Sequence, residues 1–217
     1  MTTVAFCEID PYCRRVLAKH WPKVPIFNDV RELSAQHITA AGIGVDLICG
    51  GFPCQDISDV GEKAGIEGAR SGLWSEYRRL IEEIKPSFVL IENVAALRGR
   101  GLETVLRQIA ALGYDAEWHC IPACAIGAPH RRDRIWILAY PSCDRLEEWS
   151  GQDGQSKFGE RISSGVDTLR KSGWSPEPDV GRVANGVPDG VERLKCVGNA
   201  VVPQIPELIG RAIMAAA

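Results

Sequence analysis

Short apolar runs alternate with helical periodicity through the first half of the chain. Residues 4–9 read as a strand, and Asp10-Pro11 then supplies an N-cap and a first-turn proline for a helix over 11–20. Residues 25–27, 45–49 and 88–91 read as further strands. Between the last two, Leu73, Tyr77, Leu80 and Ile84 share one face of a helix predicted over 73–85. Another helix is predicted over 102–112, stopping at Gly113 as a C′ glycine. Such alternation predicts an α/β fold with a mostly parallel sheet, whose ligands gather beyond the carboxyl ends of the strands. Those ends carry Glu8, Asp29, Cys54 and Glu92. A single acidic residue there is an ordinary helix cap, but the four together predict a site.

The second half breaks the alternation. Residues 114–121 and 134–140 are β-like, and their connection is too short for a crossover helix. An antiparallel pair at one edge of the sheet is therefore expected. From 141 to about 182 the composition shifts to Ser, Gly, Asp, Glu and Arg, which reads as an insert with little core of its own. Apolar character returns in "CVGNAVVPQIPELIGRAIM", with a turn at Gly198-Asn199 and a helix over 204–214. The expected division is a main domain over 1–140, a short segment over 141–180, and a return to the main domain over 181–217.

Composition adds mainly exclusions. Of 217 residues 45% are hydrophobic and 24% charged, as in soluble globular chains. No apolar stretch approaches the ~20 residues needed to span a bilayer. The N-terminus lacks the pattern of a signal peptide, so a cytoplasmic protein without a membrane partner is expected. The eight cysteines show neither a C-x-x-C pair nor zinc-finger spacing, and no metal site is expected. Most read as small buried hydrophobes. A net charge of −3 does not point to nucleic acid, although arginines cluster at Arg98, Arg100 and Arg107 and again at Arg131, Arg132 and Arg134.

Cys54 differs from the other cysteines. "GGFPCQDIS" sets it in a glycine-lined turn between Pro53 and Gln55. A free thiol titrates near about 8.5, so a nucleophile there needs backbone N–H groups or an arginine such as Arg132 or Arg134. Glu92, if burial keeps it protonated, would serve as a general acid. A cysteine with a carboxylic acid and no catalytic histidine argues against protease chemistry. The pair suits conjugate addition to an electron-poor ring.

"GGFPCQDIS", "FVLIENVAAL", "GAPHRRDRIWILA" and "VGNAVVPQI", in this order, resemble four motifs of the DNA cytosine-5 methyltransferases. The resemblance covers nearly all the chain except 141 to about 178. It implies a Rossmann-like, S-adenosylmethionine-dependent methyltransferase sheet, mostly parallel with an antiparallel edge pair, acting on DNA. Cys54 resembles the thiolate that adds to carbon-6 of cytosine, and Glu92 the acid that contacts N3 and the exocyclic amine. Asn93 and Arg134 resemble the supports of the nucleophile loop and the flipped base, and Arg132 belongs to the same motif as Arg134. Gln55, Ser58 and Arg70 resemble DNA-contacting residues of a mobile catalytic loop.

For the cofactor, the resemblance implies Glu8 at the ribose, Ile9 beside the adenine, and Asp29 and Val30 as adenine contacts. Pro53, Asn199 and Ala200 complete that set. Two features depart from the family. His130 stands where glutamine is usual. The family also begins with a strand and a Phe-x-Gly-x-Gly turn, and this chain begins after them. The expectation is therefore a sheet whose central N-terminal strand is missing, with open backbone edges on both neighbours. An N-terminally incomplete enzyme, or a second chain supplying the strand, would account for it. The short segment over 141–180 occupies the place of the family's target-recognition region, with Gln152, Gln155, Lys157, Arg161, Arg170 and Lys171 available to read base edges. A tRNA cytosine-5 methyltransferase and a non-catalytic DNA-binding remnant are the alternatives.

Overall fold

The computed structural model describes residues 1–53, 72–142, 157–170 and 199–215. They fall into two compact units. The larger comprises Thr2–Ile121 and Asp133–Glu147. Its elements are β1 (Phe6–Cys7), α1 (Pro11–His20), β2 (Ile26–Phe27), α2 (Ala35–Ala40), β3 (Leu47–Gly51) and α3 (Gly72–Ile84). Then follow β4 (Phe88–Val94), α4 (Leu97–Arg100), α5 (Leu102–Ala111), β5 (Tyr114–Pro122) and β6 (Asp133–Pro141).

The main sheet has the order β3-β4-β6-β5. Strands β3 and β4 run parallel, while β6 pairs antiparallel with β4 and separates it from β5. The α/β class and the mixed sheet match the expectation from sequence. Strand β4 is longer than predicted and carries Glu92 and Asn93 within its ladder, because β6 continues to pair with it as far as Val94.

Ile81, Val89, Ile91, Leu97, Val105, Ile109, Ile135 and Ile137 form the dry centre of this unit. The buried face of α3 is Trp74, Tyr77 and Ile81, rather than one that includes Leu73, which is 40% exposed. Trp74 decides the rotation: its ring packs 5.0 Å from Phe52, and its indole N–H donates to Gln108 Oε1 at 2.5 Å. Leu80 turns instead to a second cluster with Leu33 and Ile38, against which Ile84 packs.

β1 and β2 form a separate two-stranded parallel sheet. Asp10 caps α1 as expected, accepting from the N–H groups of Tyr12 at 2.9 Å and Cys13 at 3.2 Å. Yet α1 buries no residue, and neither does β3. The strand predicted over 4–9 contracts to two residues, leaving Val4 40% and Ile9 55% exposed. A ladder on one side only explains the contraction, since β1 pairs only with β2 and β3 only with β4 among the described residues. The segment after β2 is tied down by Arg79 on α3, whose guanidinium donates to the carbonyls of Val30 at 3.0 Å and Leu33 at 2.8 Å. Glu76 and Glu83 hold that guanidinium, each at 2.7 Å.

The smaller unit contains Pro122–Arg132, with a 3₁₀ turn at Ala123–Ile126, and the helices α6 (Lys157–Arg170) and α7 (Gln204–Met214). Helix α6 departs from the expectation of an insert with little core, because Ile162 is buried. Phe158, Ile162, Val166 and Leu169 carry helical spacing in the sequence, hidden there by the polar composition around them. At Gly165 a Cβ would lie 2.0 Å from Leu208 Cδ1, so the helices approach where only glycine fits. No described helix is long and apolar enough to cross a membrane.

Candidate active site

β3 and β4 run in register from Leu47↔Phe88 to Gly51↔Glu92, so both reach the same edge of the sheet. β6 begins at that edge and brings Arg134 opposite Val94, two residues from Glu92. Arg134 Nε lies 2.7 Å from Glu92 Oε1, with the two side chains 17% and 18% exposed. Glu92 and Arg134 are thus brought into contact at the sheet edge.

Asn93, the next residue, is only 4% exposed. Its Nδ2 donates to the carbonyl oxygen of Phe52 at 2.8 Å, and its Oδ1 accepts from the Val94 N–H at 2.8 Å. The buried Phe52 ring anchors the same segment from the other side. Backbone two residues before Cys54 is therefore fixed by a buried amide and an aromatic contact. Pro53 is exposed at the end of this segment. Cys54, Gln55, Ser58 and Arg70 lie outside the described residues.

Replacing Asn93 with alanine should leave the Phe52 carbonyl without its side-chain donor, at a cost of about 1–3 kcal/mol. A thermal melt should show a loss of roughly 2–4 °C per kcal/mol for a protein of this size. An unchanged melting temperature would show that the amide does not anchor the segment.

Glu8 and Asp29 stand after β1 and β2, as expected of a site at strand ends. Glu8 Oε1 accepts from the Asp10 N–H at 2.7 Å. Asp29 is engaged by Arg31, an interaction not anticipated: both oxygens accept from that guanidinium, and Oδ1 also accepts from the Arg31 N–H at 2.9 Å. These bonds hold the Asp29 carboxyl below the usual carboxylate range. Ile9 presents an uncovered apolar side chain beside Glu8, and Val30 packs partly buried against the Leu33 cluster.

In the smaller unit Arg132 adopts a left-handed backbone, φ 26°, and its guanidinium donates to the carbonyl of Ala200. Asn199 and Ala200 are exposed. Arg132 is thus tied to the Gly-Asn segment, whereas Arg134 pairs with Glu92. Arg161, a candidate base reader, points to the Ala212 carbonyl at 3.4 Å. The residue missed by sequence reasoning is Gly51, read there as part of a turn and found in strand β3 against Glu92.

A family profile described as C-5 cytosine-specific DNA methylase matches residues 1–169. The chain belongs to this family. It is 38% identical over 149 residues to the Type II methyltransferase M2.BsuMI of Bacillus subtilis strain 168, across 64% of this chain and 36% of that protein. To the Type II methyltransferase M.CviJI of Paramecium bursaria Chlorella virus IL3A it is 29% identical, across 84% of this chain and 52% of that protein. The chain thus spans between about a third and a half of the length of these curated relatives. Among solved structures it resembles the S. pombe Dnmt2 methyltransferase, with a TM-score of 0.53 and 19% identity over 74% of this chain and 53% of that one. The Entamoeba histolytica methyltransferase EhMeth gives 0.52 and 17%, over 72% and 50%. Both likenesses confirm the Rossmann-like methyltransferase fold.

Proposed function

We propose that the protein methylates carbon-5 of cytosine in DNA, using S-adenosylmethionine and a covalent adduct on Cys54. The observation that carries the reading is the edge where Glu92, Arg134 and Asn93 meet the backbone leading to Cys54. Thiolate addition to carbon-6 forms an S–C bond and drives electron density toward carbon-5 and N3. The Glu92 carboxylate, held by Arg134, receives the exocyclic amine and orients the ring for that attack. S-adenosylmethionine, when bound, would supply an electrophilic methyl group to carbon-5 and leave as S-adenosylhomocysteine. Transfer of the carbon-5 proton to water then re-forms the C5=C6 bond and breaks the S–C bond, returning the Cys54 thiolate and releasing 5-methylcytosine. Carbon-6 is shielded inside a stacked duplex, so the base has to be flipped out first.

The residues after β1 and β2 suit the cofactor. Glu8 offers an acceptor for ribose hydroxyls, and the exposed Ile9 offers an apolar face for adenine. Asp29 is already bonded to Arg31 and the Val30 carbonyl to Arg79, so adenine would contact other atoms of this segment. Asn199, in the Gly-Asn motif, would approach the methionine end. Asn199→Ala should weaken S-adenosylmethionine binding roughly three- to tenfold, as expected for one lost hydrogen bond. Calorimetric titration reads this directly, and unchanged affinity would remove Asn199 from the site. Type II methyltransferase relatives make a restriction–modification role the biological setting we favour.

The test is incubation of the folded protein with duplex DNA, with tRNA and with labelled S-adenosylmethionine. Label in DNA as 5-methylcytosine supports the proposal. Label confined to tRNA would overturn the choice of substrate.

A further inference from the structure

The two consecutive glycines of β3 face different surroundings. A Cβ on Gly50 would meet only the Tyr77 ring, at 3.9 Å, an ordinary contact. A Cβ on Gly51 would lie 3.0 Å from Glu92 Oε2 and 3.1 Å from the Glu92 main-chain oxygen. Glu92 is also the ladder partner of Gly51. On its other oxygen the carboxylate meets Arg134 Nε at 2.7 Å. The carboxylate is therefore held between a guanidinium and the bare backbone of the neighbouring strand. Of these two walls the ladder is the less able to move, because β3 and β4 pair over five consecutive residues.

We propose that Gly51 is a positioning residue: its missing side chain is the seat that lets the Glu92 carboxylate lie against β3 while paired with Arg134. The proposal rests on the reading of Glu92 as the group that orients the target base. An alanine at 51 pushes Oε2 away by a few tenths of an ångström or more and turns the carboxylate from its alignment. Misplacement on that scale weakens an orienting contact far more than it weakens the fold.

Gly50→Ala is the matched control, since it adds the same methyl group one residue away on the same strand. Gly51→Ala should lower kcat for methyl transfer at least tenfold while changing KM for S-adenosylmethionine less than twofold. Gly50→Ala should stay within twofold in both. The shorter carboxylate of Glu92→Asp withdraws from the seat, so Gly51→Ala added to Glu92→Asp should cost less than twofold further. A merely structural role for Gly51 would give the same loss in both backgrounds. Equal rates for Gly50→Ala and Gly51→Ala, or that constant loss, would overturn the proposal.

Thermal melts keep the test independent of activity. Gly51→Ala should lower the melting temperature more than Gly50→Ala, and the drop should shrink when Glu92 is already alanine. Strictly additive drops would overturn the seat even in a protein that transfers no methyl group. Inactivity with a shrinking drop would instead fault the functional reading alone.

Discussion

Replacing Cys54 with alanine should bring methyl transfer down to the rate without enzyme while the protein melts at its normal temperature. Alanine removes the only atom at that position able to bond carbon-6, and among the described residues at the end of β4 Glu92 and Asn93 offer no thiol. Glu92 is a poor nucleophile toward an aromatic carbon, and its charge is already engaged by Arg134. Cys49 and Cys7 are poor competitors. Desolvation pushes the Cys49 thiol up, and burial together with Asp29 and Glu8 does the same for Cys7, so both disfavour the thiolate. The measurement is transfer of labelled methyl to DNA, paired with a melt of the same preparation. Residual transfer above background by the alanine variant would rule out the covalent route.

Glu92→Gln is expected to have the next largest effect, a fall in kcat of about 10²–10⁴. The amide matches the carboxylate in shape, so the seat on Gly51 stays filled and the loss is one of charge. Glutamine cannot balance Arg134, and it presents only one oxygen in place of two. The guanidinium, 17% exposed, then loses its counter-charge, which should also cost some stability. Arg134→Ala should lower the rate by a similar route, by leaving Glu92 unaligned. If either variant kept wild-type kcat, the ion pair would have no part in the chemistry. Single-turnover kinetics on duplex DNA separates this from a change in product release.

Much of this site was legible in the sequence. Apolar runs gave the strands, the residues at their carboxyl ends gave Glu8, Asp29 and Glu92, and the ordered motifs gave Asn93 and Arg134. Pairing was harder to see. Nothing along the chain places Arg134 on Glu92, because that depends on β6 lying between β4 and β5. Arg132, two residues earlier, has a left-handed backbone and donates instead to Ala200. Asp29, expected as an adenine contact, is paired with Arg31 two residues on.

The two errors of helix reading have separate causes. Leu73 was assigned to a buried face that Trp74 occupies, and α6 was missed because serine and glycine diluted its apolar period. Packing volume, in one case, and helix–helix approach at Gly165, in the other, outweighed local composition. Among the described residues β1–β2 and β3-β4-β6-β5 share no ladder, and the apolar residues Val4, Ile9, Val16 and Trp21 are exposed.

The central claim is that Cys54 bonds carbon-6 of a cytosine in DNA. Fluorine at carbon-5 cannot leave as a proton does, so 5-fluorocytosine in a duplex should hold the protein at the adduct after methyl transfer. Mass spectrometry of the protein with S-adenosylmethionine and such a duplex is the most direct measurement. The account predicts a denaturant-resistant protein–DNA species whose proteolysis places the link on Cys54, absent when Cys54 is alanine. Methyl transfer to ordinary duplex DNA without any such species, or with the link on another residue, would contradict it.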